Sequence, residues 1–208
     1  MILIGQYDSP FVRRVGIALT LYGRAFEHRP WSAWGDAERL RSVNPLTRVP
    51  VLLLDDGEAL VDSHSILDFL DREAGAAQAL IPETQPDRRR AQRIIALACG
   101  AAEKAVSLFY ELRLHDSVSP VWVARCRGQI EATLAFLETE ALVKATDEAG
   151  EGRIGHAGIA VAVALRFIAE ALPDQVALDP FPALCAFSRR MEALPVFRTV
   201  SQPFIAPR

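Results

Sequence analysis

The sequence predicts two folds in series: a mixed α/β domain of order β-α-β-α-β-β-α over residues 1–76, then an all-α helical bundle over 87–208, with a linker at 77–86. Three observations predict this. Short apolar runs alternate with helix-period stretches only in the first third of the chain. A hairpin signal, Asp55-Asp56-Gly57, separates two apolar runs near the end of that third. Beyond Pro86 the apolar spacing is helical almost throughout.

Each element has its own warrant. Residues 2–7 read as a short buried strand. From Pro10 onward Phe11, Val12, Val15, Ala18, Leu19 and Tyr22 share one helical face. A second strand at 25–29 ends against Pro30, and 36–43 forms a short helix. Strand-like 49–54 turns at Asp55-Asp56-Gly57 and returns as 59–61. Ser63 opens a helix carrying Ile66, Leu67, Phe69 and Leu70 on its apolar side and stopping near Gly75. The first β-α-β predicts parallel strands with a right-handed crossover, and the hairpin makes the sheet mixed. The linker holds Pro82 and Pro86. Helices follow at 87–114, 120–142, 157–172 and 181–194, with a glycine-bearing loop at 148–155. The stretch 157–172 is apolar nearly all round, the pattern of a helix in the middle of a bundle.

Composition narrows the function classes. Half of the 208 residues are hydrophobic, enough for a packed core. A net charge of -3 gives no basic footprint for nucleic acid. No apolar run reaches membrane-spanning length, and the N-terminus lacks a signal-peptide pattern, so a cytoplasmic protein is expected. Cys99, Cys126 and Cys185 are scattered with no CxxC, which fits a reducing compartment. His28, His64, His115 and His156 are far apart, and no metal site is expected.

Three short stretches carry chemistry. In Tyr7-Asp8-Ser9-Pro10-Phe11-Val12-Arg13-Arg14-Val15, Ser9 reads as a helix N-cap with proline in the first turn. The same hydroxyl sits just past a parallel strand, where α/β folds bind ligands and free N–H groups favour an anion. In Arg48-Val49-Pro50, the proline is either an ordinary strand start or a cis residue that turns the Val49 backbone outward. In Val61-Asp62-Ser63-His64-Ser65, Asp62, Ser63 and Ser65 each qualify as caps, Ser65 with Asp68 as a partial capping box. Asp62 also offers an anion to an ammonium, and Ser63 with the helix N–H groups suits a carboxylate. Together they match an amino-acid head group.

Residues 7–15, Asn-Pro-Leu-Thr-Arg-Val-Pro-Val-Leu at 44–52 and Leu-Val-Asp-Ser at 60–63, followed by helices, resemble a bacterial cytosolic glutathione S-transferase of the serine type. The resemblance spans the chain and implies a thioredoxin-like first domain and a helical second one. It implies that Ser9 donates a hydrogen bond to the sulfur of glutathione, a co-substrate. Val49 and Pro50 would bind the cysteinyl backbone, Asp62 and Ser63 the γ-glutamyl end, and Arg48 would lie near the glycyl carboxylate. Tyr7 is the rival for the sulfur, since other branches use a tyrosine at the end of the first strand. Arg13 is either an electrostatic aid or, with Arg14, a solvated or interface pair. The partners implied are a small electrophile, bound in an apolar pocket between the domains, and a second copy of the chain as homodimer. A non-catalytic binding module of the same fold is the alternative. One departure stands out: Gly155 and Gly158 replace the capping box that the family carries at its buried helix, a loss on the order of 1 kcal/mol.

Overall fold

The computed structural model describes residues 1–140 and 154–206. Contacts divide the chain into two units, Met1–Gln85 together with the segment from Leu194 onward, and Pro86–Ala193.

In the first unit, β1 (Ile2–Ile4), α1 (Pro10–Leu21), β2 (Glu27–Arg29), α2 (Ala37–Arg41), β3 (Val51–Leu53), β4 (Ala59–Val61) and α3 (Ser63–Ala74) follow the expected order. The sheet runs β2-β1-β3-β4, with β1 parallel to β2 and antiparallel to β3, and β3 antiparallel to β4. It is the mixed, thioredoxin-like sheet that the sequence predicts.

The strands are shorter than the apolar runs, for local reasons. At the end of β1, Gly5 takes φ +129°, and a Cβ there would lie 2.5 Å from Val12 Cγ2 and 2.8 Å from Val49 Cβ. Only glycine fits both the backbone angle and the space. At β3, Pro50 has no N–H to give the ladder, so pairing begins at Val51. The alternation of side chains sorts the sheet into two faces. Ile4 and Val51 meet Leu40 of α2 on one face, joined by Trp31. Leu3, on the opposite face, lies under α1, where a Cβ on Gly16 would come within 3.4 Å of its Cδ2.

The linker is partly fixed. The N–H of Leu80, a buried residue, donates to Asp71 Oδ1 at 2.8 Å, which anchors residue 80 to α3. The other end of the chain groups differently from the division drawn in the sequence. Residues 194 onward were expected to continue the helical domain. Instead a short α8 (Pro195–Thr199) and the segment after it cluster with the first unit. Arg13 helps hold it there: its Nε and Nη2 donate to the carbonyls of Val200 and Phe197, each at 2.8 Å.

The second unit holds α4 (Asp87–Leu114), α5 (Pro120–Glu138), α6 (His156–Ala171) and α7 (Pro182–Ala193). α4 packs against α5 and α6, and α6 against α7. Ile159 to Leu165 are buried without a break, so α6 is the central helix its apolar character predicts. α5 ends at Glu138, short of the expected 142. Its terminal carboxylate accepts the N–H groups of Ala183 and Leu184 at 2.7 and 2.8 Å, serving the start of α7. Gly155 caps α6 with no side-chain bond, and Gly158 faces Phe187 and Met191. Most of the loop expected at 148–155, and positions 141–142, lie outside the described residues. No helix among those described is long and apolar enough to cross a membrane.

Candidate functional site

Register brings the three stretches to one end of the sheet. Ile4 pairs with Val51, and Val51 with Val61. The exit of β1, the entry of β3 and the exit of β4 therefore lie side by side. The first leads to Tyr7 and Ser9, the second follows Arg48, Val49 and Pro50, and the third leads to Asp62 and Ser63. Gly5, wedged between Val12 and Val49, ties the first of these turns to the second.

Ser9 caps α1. Its Oγ accepts from Val12 N–H at 3.4 Å, and Pro10 follows in the first turn. A serine hydroxyl that accepts one bond keeps its own proton to donate. Tyr7 is engaged differently. Its ring stacks on His28 with centroids 3.8 Å apart, and a Cβ on Gly16 would lie 2.9 Å from its Cε1. Burial pushes the phenol pKa up, so the group stays protonated. His28, in β2, has Nε2 2.8 Å from the Gly5 carbonyl.

The Val49–Pro50 peptide bond is cis. Pro50 is buried, Val49 half-buried and Arg48 exposed. The loop is held by buried Asn44, whose Nδ2 donates to the Arg48 carbonyl at 2.9 Å.

Asp62, not Ser65, caps α3: its carboxylate accepts from His64 N–H at 2.7 Å. It does so at φ +70°, a region that non-glycine residues occupy at a cost of about 1–3 kcal/mol and mostly at functional positions. The His64 ring, with Nδ1 3.3 Å away, lowers the Asp62 pKa most. Partial burial opposes it, and the His64 N–H and the Arg14 charge add to it, leaving the carboxyl at about 2. Asp68, the other half of the expected box, pairs instead with Arg72 at 2.8 Å. Ser63 is buried, its Oγ 3.4 Å from Arg14 Nη1.

The family model described as glutathione S-transferase, N-terminal domain, matches residues 3–78. An uncharacterized GST-like protein, YibF of Escherichia coli strain K12, is 32% identical over 139 residues, 66% of this chain and 68% of its own. The chain belongs to the glutathione S-transferase family. Solved glutathione S-transferase structures match it nearly end to end. One from Pseudomonas fluorescens Pf-5, with bound glutathione, has a TM-score of 0.84 and 30% identity, covering 98% of this chain and 99% of that one. One from Methylobacterium radiotolerans, in complex with glutathione sulfonate, has a TM-score of 0.87 and 29% identity over 100% and 98%.

The reading of Arg13 and Arg14 as a solvated or interface pair is wrong. Both are buried, at 3% and 2% exposure. Arg13 is spent on the carbonyls of Phe197 and Val200, and Arg14 reaches the start of α3. Two further residues escaped the sequence: Gln202, whose Oε1 accepts from Tyr7 N–H at 2.8 Å, and Asn44. Nothing local flags Gln202, which lies 195 positions from its partner. The cysteines all lie in the second unit, and burial pushes the Cys126 and Cys185 thiols up, away from thiolate chemistry.

Proposed function

We propose that the protein binds glutathione, favours its thiolate with the Ser9 hydroxyl, and joins it to a small electrophile. The observation that supports this most is the register that sets Ser9, Val49-Pro50 and Asp62-Ser63 at one end of the sheet. The three fit the tripeptide by chemistry. Asp62, ionised down to about 2, suits the γ-glutamyl ammonium. The amino end of α3, with Arg14 beneath Ser63, suits the adjoining carboxylate. The Val49 main chain would serve the cysteinyl peptide, and exposed Arg48 the glycyl carboxylate.

Ser9 is favoured over Tyr7 because the Tyr7 ring is already committed to His28 and α1. A hydrogen bond to a charged acceptor contributes roughly 1.5–3 kcal/mol. At about 1.4 kcal/mol per pKa unit, that lowers a thiol by roughly one to two from near 8.5. The thiol proton leaves to solvent, the sulfur lone pair forms the C–S bond, and the leaving group departs with its electrons. The homodimer that the family resemblance implies is part of the same proposal, and sedimentation tests it.

The test is calorimetry with glutathione beside conjugation of a generic aryl halide. Wild-type protein binds and conjugates; Ser9→Ala binds but loses most turnover, and Tyr7→Phe keeps it. Wild type that ignores glutathione would favour the non-catalytic module, and a damaging Tyr7→Phe would reverse the two roles.

A further inference from the structure

The turn that carries Ser9 is held from the far end of the chain. Tyr7 N–H donates to Gln202 Oε1 at 2.8 Å, and Ile205 N–H donates to Asp8 Oδ2 at 3.0 Å. The two residues just before Ser9 are thus each clasped by the C-terminal segment. That segment has a firm root. Phe197 and Val200 are buried at 0% and 2% exposure, their carbonyls are taken by Arg13, and Val200 Cγ1 fills the space beside Gly16. Gln202 stands two residues beyond this root, so its side chain reaches Tyr7 from a fixed base.

The turn has ties of its own as well: the Tyr7 ring stacks on His28, and the Ser9 carbonyl accepts from Arg13 N–H at 2.9 Å. Ser9 N–H donates to the Gln6 carbonyl at 3.1 Å, and Gly5 N–H to Arg29 O at 2.9 Å. Gly5, at φ +129°, sets the angle at which the turn leaves β1. A hydroxyl helps a thiolate only when its O–H points at the sulfur, and the direction of Ser9 Oγ depends on the backbone on both sides of it, the α1 start that it caps and the Tyr7–Asp8 turn that precedes it.

We propose that Gln202 is a positioning residue for Ser9: its side-chain carbonyl fixes the Tyr7–Ser9 turn and so aims the Ser9 hydroxyl. The proposal rests on the assignment of Ser9 to the sulfur. A glutamine suits the task because its carbonyl accepts the amide without placing a second negative charge beside a thiolate.

The test uses the full chain with Gln202→Met, Ser9→Ala and the double variant. Gln202→Met keeps the length and removes the acceptor. It should lower kcat by about tenfold, the worth of one hydrogen bond in the transition state. It should also raise the pKa seen in the kcat–pH profile while leaving glutathione affinity within about twofold, because the turn does not hold the tripeptide. Added to Ser9→Ala, it should cost nothing further, because it acts through Ser9. An unchanged pH profile in Gln202→Met, whatever its melting temperature, overturns the proposal, and so does a loss that multiplies with that of Ser9→Ala. Should Gln202→Met fail to fold, Gln202→Asn, a polar side chain one methylene too short for Tyr7, gives the same reading. If Ser9→Ala itself keeps full turnover, it is the Ser9 assignment that falls.

Discussion

Two helices in this chain begin with the same dipeptide. Ser9-Pro10 opens α1 and Ser119-Pro120 opens α5. The local geometry is the same: extended serines at φ/ψ -69°/123° and -81°/110°, each Oγ accepting an N–H three residues on at 3.4 Å. What differs lies far off in sequence. Ser119 is exposed, and its own N–H is taken at 2.7 Å by the carboxylate of Glu111, a buried acid that also pairs with His115. An anion supplied from inside the protein already sits at that helix start. Ser9 N–H meets the neutral Gln6 carbonyl, and its turn adjoins Val49 through Gly5 and is bonded to Gln202 through Tyr7. Ser-Pro is therefore a helix start wherever it occurs, and long-range neighbours make one of the two a candidate site.

The two serines should differ most in turnover. Ser9→Ala is expected to lower kcat by about 10- to 100-fold, the equivalent of roughly 1.5–3 kcal/mol, while Ser119→Ala leaves it unchanged. Both should lose a similar amount of stability, about 0.5–2 kcal/mol, because both lose the same cap. Paired denaturant titrations and steady-state assays read the two effects separately.

Asp62→Asn should come next, raising the KM for glutathione by about tenfold through loss of the charge partner of an ammonium. It also carries a pH signature. The folded-state pKa of Asp62, about 2, is below its unfolded value. Its contribution to stability is thus fully present above about pH 4 and fades as pH falls toward about 2. Asp62→Asn should flatten stability over that acid window. Since the group stays ionised well above it, the acid limb of activity should be the same in both proteins.

Glu111→Gln sharpens the contrast at the other Ser-Pro. It keeps one acceptor for Ser119 N–H but loses the charge, and should cost about 1 kcal/mol of stability with no change in kcat. The smallest effect belongs to α6. Gly155→Ser restores a cap acceptor at φ -106°, a conformation serine adopts freely, and should add only a few tenths of a kcal/mol by thermal melt. α6 is held by burial along its length, so its cap matters little.

The same contrast explains what was legible in the sequence. Local signals survived: the order of elements, the Asp55-Asp56-Gly57 hairpin, the span of α4 and the buried character of α6 all follow from periodicity and turn chemistry. Strand ends were overrun because an apolar run does not say where the ladder stops, and Gly5 and Pro50 stop it for steric and donor reasons. The placement of site residues at one sheet end follows from register, which the hairpin fixes for β3 and β4 but which only the folded chain fixes for β1. Arg13, Arg14 and Gln202 were opaque. Two adjacent arginines look like a wet surface, and nothing near them announces that one will bury itself against carbonyls 184 and 187 positions away. Ser65 looked as good a cap as Asp62; the positive φ that selects Asp62 is a property of the β4–α3 corner.

The most direct measurement is the titration of glutathione bound to the protein, followed by the ultraviolet absorbance of its thiolate, in wild type, Ser9→Ala and Ser119→Ala. The thiol of the Ser9→Ala complex should titrate roughly one to two pH units higher than in wild type, and Ser119→Ala should overlay wild type. Three superimposable curves, or a shift produced by Ser119→Ala, would contradict the role given to Ser9.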